Sequence, residues 1–505
     1  MGYAKVRAVG LIGLQGHAVT VEAHVATGLP GLTISGLPDA SLNEARDRVR
    51  AAIVNSAEQW PQRRITINLL PADLPKRGSG FDLALALVIL GAAGELPLGR
   101  LRGAGLVGEL GLDGQIRPVR GVLPMAVTAA RAGIDRMIVP SANATEARLV
   151  PGVRVLAAET LRSVVEFVRV GIPLPDPPVE PDTDEPDGPD LAEVVGQGRG
   201  RFALEIAAAG RHHVALFGPP GAGKTMLAQR LPSILPPLDD ADALEVTAVH
   251  SIAGALPPVP RLIRRPPFQA PHHTASAAAL VGGGSGLARP GALSLAHHGV
   301  LFLDESPHFG AAALNALRQP LEDGWVTLSR SQGTTRYPAR IQLVLAANPC
   351  PCGAGNGASC ECSPLARRTY LNRLSGPLMD RIDLRVTLNP VGAADLVGEH
   401  GQQESSAEVL KRVIAAREAA ARRWCGQDFT VNAGAPGRVL RSPPFRLPAS
   451  VTADLATRLD RGSLSARGYD RVLRVAWSIV DLSGGTSPTR DDVSEALELR
   501  TGETG

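Results

Sequence analysis

Apolar and polar positions alternate along the first third of the chain in ways that mark out its elements. Val19-Thr-Val-Glu-Ala-His-Val25 and Ile65-Thr-Ile-Asn-Leu69 alternate with period two, which predicts half-buried strands. Between them, positions 43–57 have helical periodicity, and the continuous apolar run Leu83 to Ala93 predicts a buried helix over 83–90. Gly105 to Val119 reads as a hairpin turning at Asp113-Gly114, a dipeptide that accepts the positive φ angles of a tight turn. A helix over Val122–Ala132 and a short strand over Arg136–Val139 follow. Further on, Val214-Ala-Leu-Phe217, Gly299-Val-Leu-Phe-Leu303 and Ile341-Gln-Leu-Val-Leu-Ala-Ala347 are short, almost wholly apolar runs and predict buried strands. Helices are expected over 201–209, 226–231 and 307–324, with a hairpin-like pair over 326–341. Beyond about residue 390 the pattern is mainly helical: Ala407–Trp424, Val451–Leu459 with Ser450 as N-cap, a helix beginning at Ser465, and Asp491–Leu499.

Length and charge refine this division. A chain of 505 residues suits about three domains. Hydrophobic residues at 44% are ample for packed cores, whereas aromatic residues at 3% limit any role built on stacking. Residues 171–190 hold seven acidic side chains, seven prolines and no basic residue. Such a stretch cannot build a core and reads as an extended interdomain linker. The net +3 of the whole chain becomes +10 once those seven negative charges are set aside. That excess permits nucleic-acid contact without requiring it. The boundaries expected are 1–170, the linker 171–190, 191–390 and 391–505. The run Leu83–Ala93 is too short to span a bilayer, no signal peptide precedes it, and a cytoplasmic protein without membrane contact is expected.

The chemistry centres on Gly218-Pro-Pro-Gly-Ala-Gly-Lys-Thr225, directly after the Val214–Phe217 strand and before a helix. This is the phosphate-binding loop GxxxxGK[ST] in its required setting. Gly218, Pro219, Pro220, Gly221, Ala222 and Gly223 form the turn. Its glycines let backbone N–H groups curl around phosphate, helped by the helix dipole. Lys224 is the residue expected to reach the β- and γ-phosphates of ATP, and the Thr225 hydroxyl to bind Mg²⁺. The strand ending in Asp304-Glu305 supplies the second half: Asp304 to hold Mg²⁺ through water, Glu305 to polarise the attacking water. Together they imply ATP hydrolysis.

Four of the five cysteines, Cys350, Cys352, Cys360 and Cys362, fall within thirteen residues. Four thiolates in one loop suit a closed tetrahedral Zn²⁺ site, with reduced structural thiols or a redox pair as alternatives. The doublets His212-His213, His272-His273 and His297-His298 point in different directions along a strand or helix, so local packing is the simplest reading of His297-His298.

At Ser375-Gly-Pro-Leu-Met-Asp-Arg381-Ile-Asp383, together with Ala270-Pro-His-His-Thr274, Leu317-Arg-Gln-Pro-Leu-Glu322 and Asn348-Pro-Cys-Pro-Cys-Gly353, the chain resembles the magnesium-chelatase-like AAA+ family known as ComM or YifB. The resemblance covers nearly the whole chain. It implies an α/β multidomain protein: an N-terminal α+β domain of the ribosomal-S5 and Lon-protease type, a central AAA+ P-loop αβα ATPase core, and a C-terminal helical lid. It implies a homo-oligomeric ring, expected to be a hexamer. Asn348 would sense the γ-phosphate, with a strand-end cap as the plain alternative. Arg381 would be the arginine finger, with an Arg381–Asp383 pair as the alternative and Arg373 as second candidate. Arg467 would be the sensor-2 arginine of the lid, ahead of Arg471 and Arg474, which otherwise form a solvated basic face. His272-His273 would lie on a pore-facing insertion. In Lon-type proteases a serine and a lysine form the catalytic dyad. Here the matching positions are Gly80 and Leu123, which perform neither nucleophilic nor base chemistry, and Ser79 has only the neighbouring Lys76.

The resemblance implies a motor acting on DNA, with helicase or branch-migration activity in recombination or natural transformation, alongside recombination proteins. Arg330, Arg336 and Arg340 would line the pore. The alternative is protein remodelling of the magnesium-chelatase type, acting on a partner protein.

Overall fold

A computed structural model describes residues 2–36, 40–74, 76, 78–177, 188–284, 288–330, 333–353, 360–374, 376–392 and 403–502. The middle of the predicted acidic linker, 178–187, lies outside them. The N-terminal third is built on a seven-stranded mixed sheet. Its order is Gly31–Ser35, Arg64–Leu70, Gln15–Ala26, Gly2–Ile12, Ala104–Leu106, Arg136–Pro140, Arg154–Ala158. The two strands flanking the first turn pair antiparallel from Gly2↔Val25 to Ile12↔Gln15. The apolar run forms the helix Asp82–Ala93, on which ten of twelve residues are buried, so it passes through the core instead of lying on it. The predicted hairpin turns at Gly114, φ 83°, between Glu109–Leu110 and Ile116–Arg117.

The described ends of the linker are anchored. Leu174 is buried, and the Pro175 carbonyl accepts from Ala157 N at 3.0 Å. The Asp190 carboxylate accepts from Ala192 N at 2.7 Å and from Ser406 N at 3.0 Å, tying the end of this segment to the first C-terminal helix.

The central domain is a five-stranded parallel sheet in the order Phe268–Gln269, Val300–Leu303, Gln342–Ala347, Val214–Phe217, Leu384–Thr387. Its strands are buried on both faces, which is why the sequence shows continuous apolar runs there and no alternation. All C-terminal strand ends lie on one edge, the position where open parallel sheets of this class bind ligands. The expected helix over 307–324 is two short helices, Ala311–Ala316 and Arg318–Asp323. Pro320 has no N–H to give the Ala316 carbonyl, so the ladder breaks there.

Helices Ser406–Arg423, Ala466–Ser483 and Arg490–Thr501 form the C-terminal layer against helix Gly198–Gly210 of the core, sharing one hydrophobic cluster with Leu204, Trp424, Val472 and Trp477. Ser405, Ser465 and Thr489 cap these helices, the first and last with a full capping box. Ser450 does not cap its helix: Ala453–Asp460 starts after Thr452, and neither side chain makes a cap bond. The N-terminal third packs on the region of the parallel sheet through helix Asp240–Ala253. There Ala248 joins the cluster of Val122, Leu123 and Met125, and Ser251 donates to buried Glu146. No helix among the described residues is long and apolar enough to cross a membrane.

Candidate active site

The phosphate-binding loop leaves the end of Val214–Phe217 and enters the helix Lys224–Arg230. Gly221 and Gly223 have φ of 76° and 84°, a region an L side chain rarely adopts, and both face open space. Glycine is what allows the loop to take this turn into the helix that starts at Lys224. Lys224 Nζ donates to the carbonyls of Gly218 at 2.7 Å and Pro219 at 2.9 Å, and to Asn348 Oδ1 at 3.0 Å. Burial pushes its ammonium below the ordinary range, against the pull of Asp304 and Glu305.

Thr225 Oγ1 donates to Asp304 Oδ2 at 2.7 Å, so the two expected Mg²⁺ partners converge. Two hard oxygen donors beside an open phosphate cradle suit Mg²⁺, which keeps most of its ligands as water and phosphate. Glu305 follows with φ 47° and ψ 40°, a left-handed conformation costing roughly 1–3 kcal/mol in a non-glycine residue. Its amide donates to Asp304 Oδ1 at 2.8 Å. The Glu305 side chain is half exposed next to Asp304. Gly218 to Thr225, Asp304, Glu305 and Asn348 thus assemble on one edge from three adjacent strands.

A residue expected elsewhere joins them. His273 was placed on a pore-facing insertion, yet its Nδ1 lies 3.4 Å from Glu305 Oε2. Its ring stands 6.0 Å from that of His308, which stands 5.5 Å from Tyr370. Burial, and next the Glu305 charge, raise the Tyr370 hydroxyl above its usual value. No spacing rule signals this group: His273 and Glu305 are brought together only because Phe268–Gln269 pairs with Val300–Leu301.

Arg381 is at the other edge. It precedes Leu384–Thr387, whose start pairs with Val214, so it lies at the opposite end of the sheet from Lys224. The alternative Arg381–Asp383 pair is not formed. Arg381 pairs with Glu322 and donates to the Pro377 carbonyl at 2.6 Å, while buried Asp383 pairs with Arg471. Burial works against the Asp383 charge, but Arg471 and His212 hold its carboxyl well below the usual range. Arg467 is exposed and lines a cavity of about 450 Å³ with Arg381, Asp470 and Arg474. It is therefore grouped with Arg381 and not with its own chain's phosphate loop. Arg471 and Arg474 are half-buried and not a solvated face: Arg474 donates to the Ala435 carbonyl at 2.8 Å. Arg373 is exposed.

In the N-terminal domain Ser79 donates to Glu109, and Lys76 donates to the Pro71 carbonyl, so they form no dyad. Leu123 is fully buried. His297 and His298 flank Glu245 at 3.4 and 3.9 Å. His297 Nδ1 accepts from Arg340 N at 3.0 Å, which leaves Nε2 carrying the proton toward Glu245 and argues for local packing over metal ligation there. Within the hairpin Trp325–Arg330 and Gly333–Pro338, exposed Arg336 stacks over Trp325 at 5.0 Å. Arg340 lies beyond the hairpin, and the side chain of Arg330 is outside the described residues.

Three family models match the chain in sequence. "Subunit ChlI of Mg-chelatase" covers residues 21–143, "Magnesium chelatase, subunit ChlI" covers 190–396, and "Magnesium chelatase, subunit ChlI C-terminal" covers 403–500. An uncharacterised protein of Mycobacterium tuberculosis is 51% identical over 99% of both chains. The uncharacterised protein YifB of Salmonella typhimurium is 42% identical over 99% of this chain and 97% of its own. Competence protein ComM of Haemophilus influenzae is 41% identical over 99% of this chain and 98% of its own. With the parallel sheet and the assembled phosphate site, these matches show that the chain belongs to the ComM/YifB family of magnesium-chelatase-like AAA+ ATPases.

Proposed function

We propose that the protein is a ring-forming motor that hydrolyses ATP with Mg²⁺ to move on DNA, in the branch migration or strand separation of recombination during uptake of DNA. The observation that carries the ring is the split of the machinery: Lys224, Thr225, Asp304, Glu305 and Asn348 share one sheet edge, and Arg381 and Arg467 the other. A second copy would bring its arginines to the phosphates through a heterologous contact, which forms a ring when its rotation closes. Asp304 and Thr225 would hold Mg²⁺, which supplies charge neutralisation on the phosphates. Lys224 would exchange its loop carbonyls for phosphate oxygens, and Glu305 would take up the proton of the attacking water.

Two observations support DNA as the track. A relative 41% identical over the full length is a competence protein. A groove of about 920 Å³ between the N-terminal domain and the hairpin is lined by His17, Arg131, Trp325 and Arg336. Arg131 and Arg336 outnumber the one acid in its lining, Glu245, and suit contact with a phosphate backbone.

The test is ATP-dependent conversion of a labelled four-way junction into its product duplexes. Conversion that needs hydrolysable ATP and Lys224 supports the motor. An active ATPase that neither binds nor converts any DNA sinks it and favours remodelling of a partner protein.

A further inference from the structure

Directly after Asn348 the chain reads Pro349-Cys350-Pro351-Cys352-Gly353, so the residue bonded to Lys224 and the first two thiols share one short loop. Cys350 Sγ lies 3.3 Å from Cys352 Sγ and 3.6 Å from Cys360 Sγ, and Cys352 and Cys360 are 3.5 Å apart. Cys362 completes the group, with all four sulfurs within 4.8 Å of one another. Thiolates bound at ~2.3 Å to one tetrahedral Zn²⁺ would stand about 3.8 Å apart along each edge. Hydrophobic burial does not explain the convergence, because only Cys350 is buried and Cys352 is exposed.

A cation and a helix N-terminus lie beside the sulfurs. Arg367 Nη2 donates to Cys360 Sγ at 3.2 Å. The helix Pro364–Leu371, capped by Ser363, begins two residues after Cys362 and presents its positive end there.

The loop and the helix that follows it each touch the nucleotide site once. Gly353 has φ 81°, and a Cβ on it would come within 2.9 Å of Pro220 Cγ, so the loop lies against the phosphate-binding loop with no space between them. Tyr370, buried on the helix that follows the last cysteine, packs edge-on against His308 in the turn after Glu305.

We propose that Cys350, Cys352, Cys360 and Cys362 hold one structural Zn²⁺, and that this ion fixes the loop setting Asn348 against the phosphate-binding loop, so that hydrolysis depends on the metal. The second half rests on the ATPase site described above; the first does not. A closed four-sulfur shell leaves no position for substrate, so the ion acts on geometry alone.

The full-length protein, purified without chelator, is assayed for metal by inductively coupled plasma mass spectrometry and for thiols reactive under native conditions. One zinc per chain and one reactive thiol, Cys425, are expected. Cys352→Ser and Cys362→Ser should lose the zinc, and Cys425→Ser should keep it. Lys224→Ala should keep one zinc per chain while losing hydrolysis, which separates the metal site from the reading of the ATP site. Reversible stripping with a high-affinity chelator should lower kcat at least ~10-fold, since a displacement near 1 Å at a reacting centre can cost ~100-fold. Re-addition of zinc should restore the rate. Metal-free protein with all five thiols reactive, or iron in place of zinc, overturns the assignment. Stripped protein with unchanged kcat, or with its helical circular dichroism lost throughout, overturns the local coupling.

Discussion

Removing the Arg381 guanidinium distinguishes a ring from a self-sufficient monomer. Arg381 stands three residues before Leu384, and Leu384–Thr387 runs parallel to Val214–Phe217 into the edge that carries the phosphate-binding loop. At ~3.3 Å per residue those four strand residues alone separate the two edges by about 13 Å. The side chain is also turned toward Glu322 and Pro377. It does not reach phosphate held by its own Lys224. If it serves a neighbour, Arg381→Ala should retain nucleotide binding and lose ~10³- to 10⁵-fold in kcat, the range measured for arginine fingers. The decisive assay mixes Arg381→Ala with Lys224→Ala, each inactive alone. In a randomly mixed ring, roughly a quarter of the interfaces pair an intact Lys224 with an intact Arg381, so roughly a quarter of the wild-type rate should return. Normal hydrolysis by Arg381→Ala, or no recovery on mixing, refutes the trans role. Recovery by Arg373→Ala in the same mixture, without recovery by Arg381→Ala, would move the role to exposed Arg373.

Three further outcomes follow from the geometry. Glu305→Gln keeps the Asp304–Thr225 pair and should bind ATP normally while hydrolysis falls ~10²- to 10⁴-fold; a smaller loss, read by single-turnover kinetics, would remove Glu305 as the base. Burial lowers His297 to about 4, so it is neutral when folded, and unfolding takes up a proton below the free histidine value. Stability should therefore be full above about pH 6.5 and fall as pH drops toward 4, by roughly 3 kcal/mol from this group; chemical denaturation should show a shallower pH slope for His297→Gln, and an unchanged slope contradicts this. Arg336→Ala should weaken DNA binding across all sequences and reduce the salt slope by about 1, measured by fluorescence anisotropy; an unchanged slope would place the track elsewhere.

The parts legible in the sequence are those that depend on neighbours along the chain. The phosphate-binding loop and Asp304-Glu305 announce themselves because strand, turn and helix chemistry are contiguous. The cysteine loop was legible for the same reason. His273 beside Glu305 was not, because parallel pairing of two distant strands creates that contact. The strand Gly2–Ile12 is faint in the sequence: its buried face carries Ala4, Val6 and Ala8, and small residues give a weak alternation. The alternative reading of Arg471 and Arg474 as a solvated face does not hold, because helix periodicity places them on one side without saying what covers it, and here Asp383 and the Ala435 carbonyl do.

The most direct test of the central claim is the ATPase rate of the wild-type protein without DNA and with single-stranded, duplex and four-way-junction DNA, beside Lys224→Ala. The account predicts stimulation by at least one DNA form and no hydrolysis in the variant. A rate indifferent to every DNA, yet abolished by Lys224→Ala, would leave the ATPase standing and contradict the DNA motor.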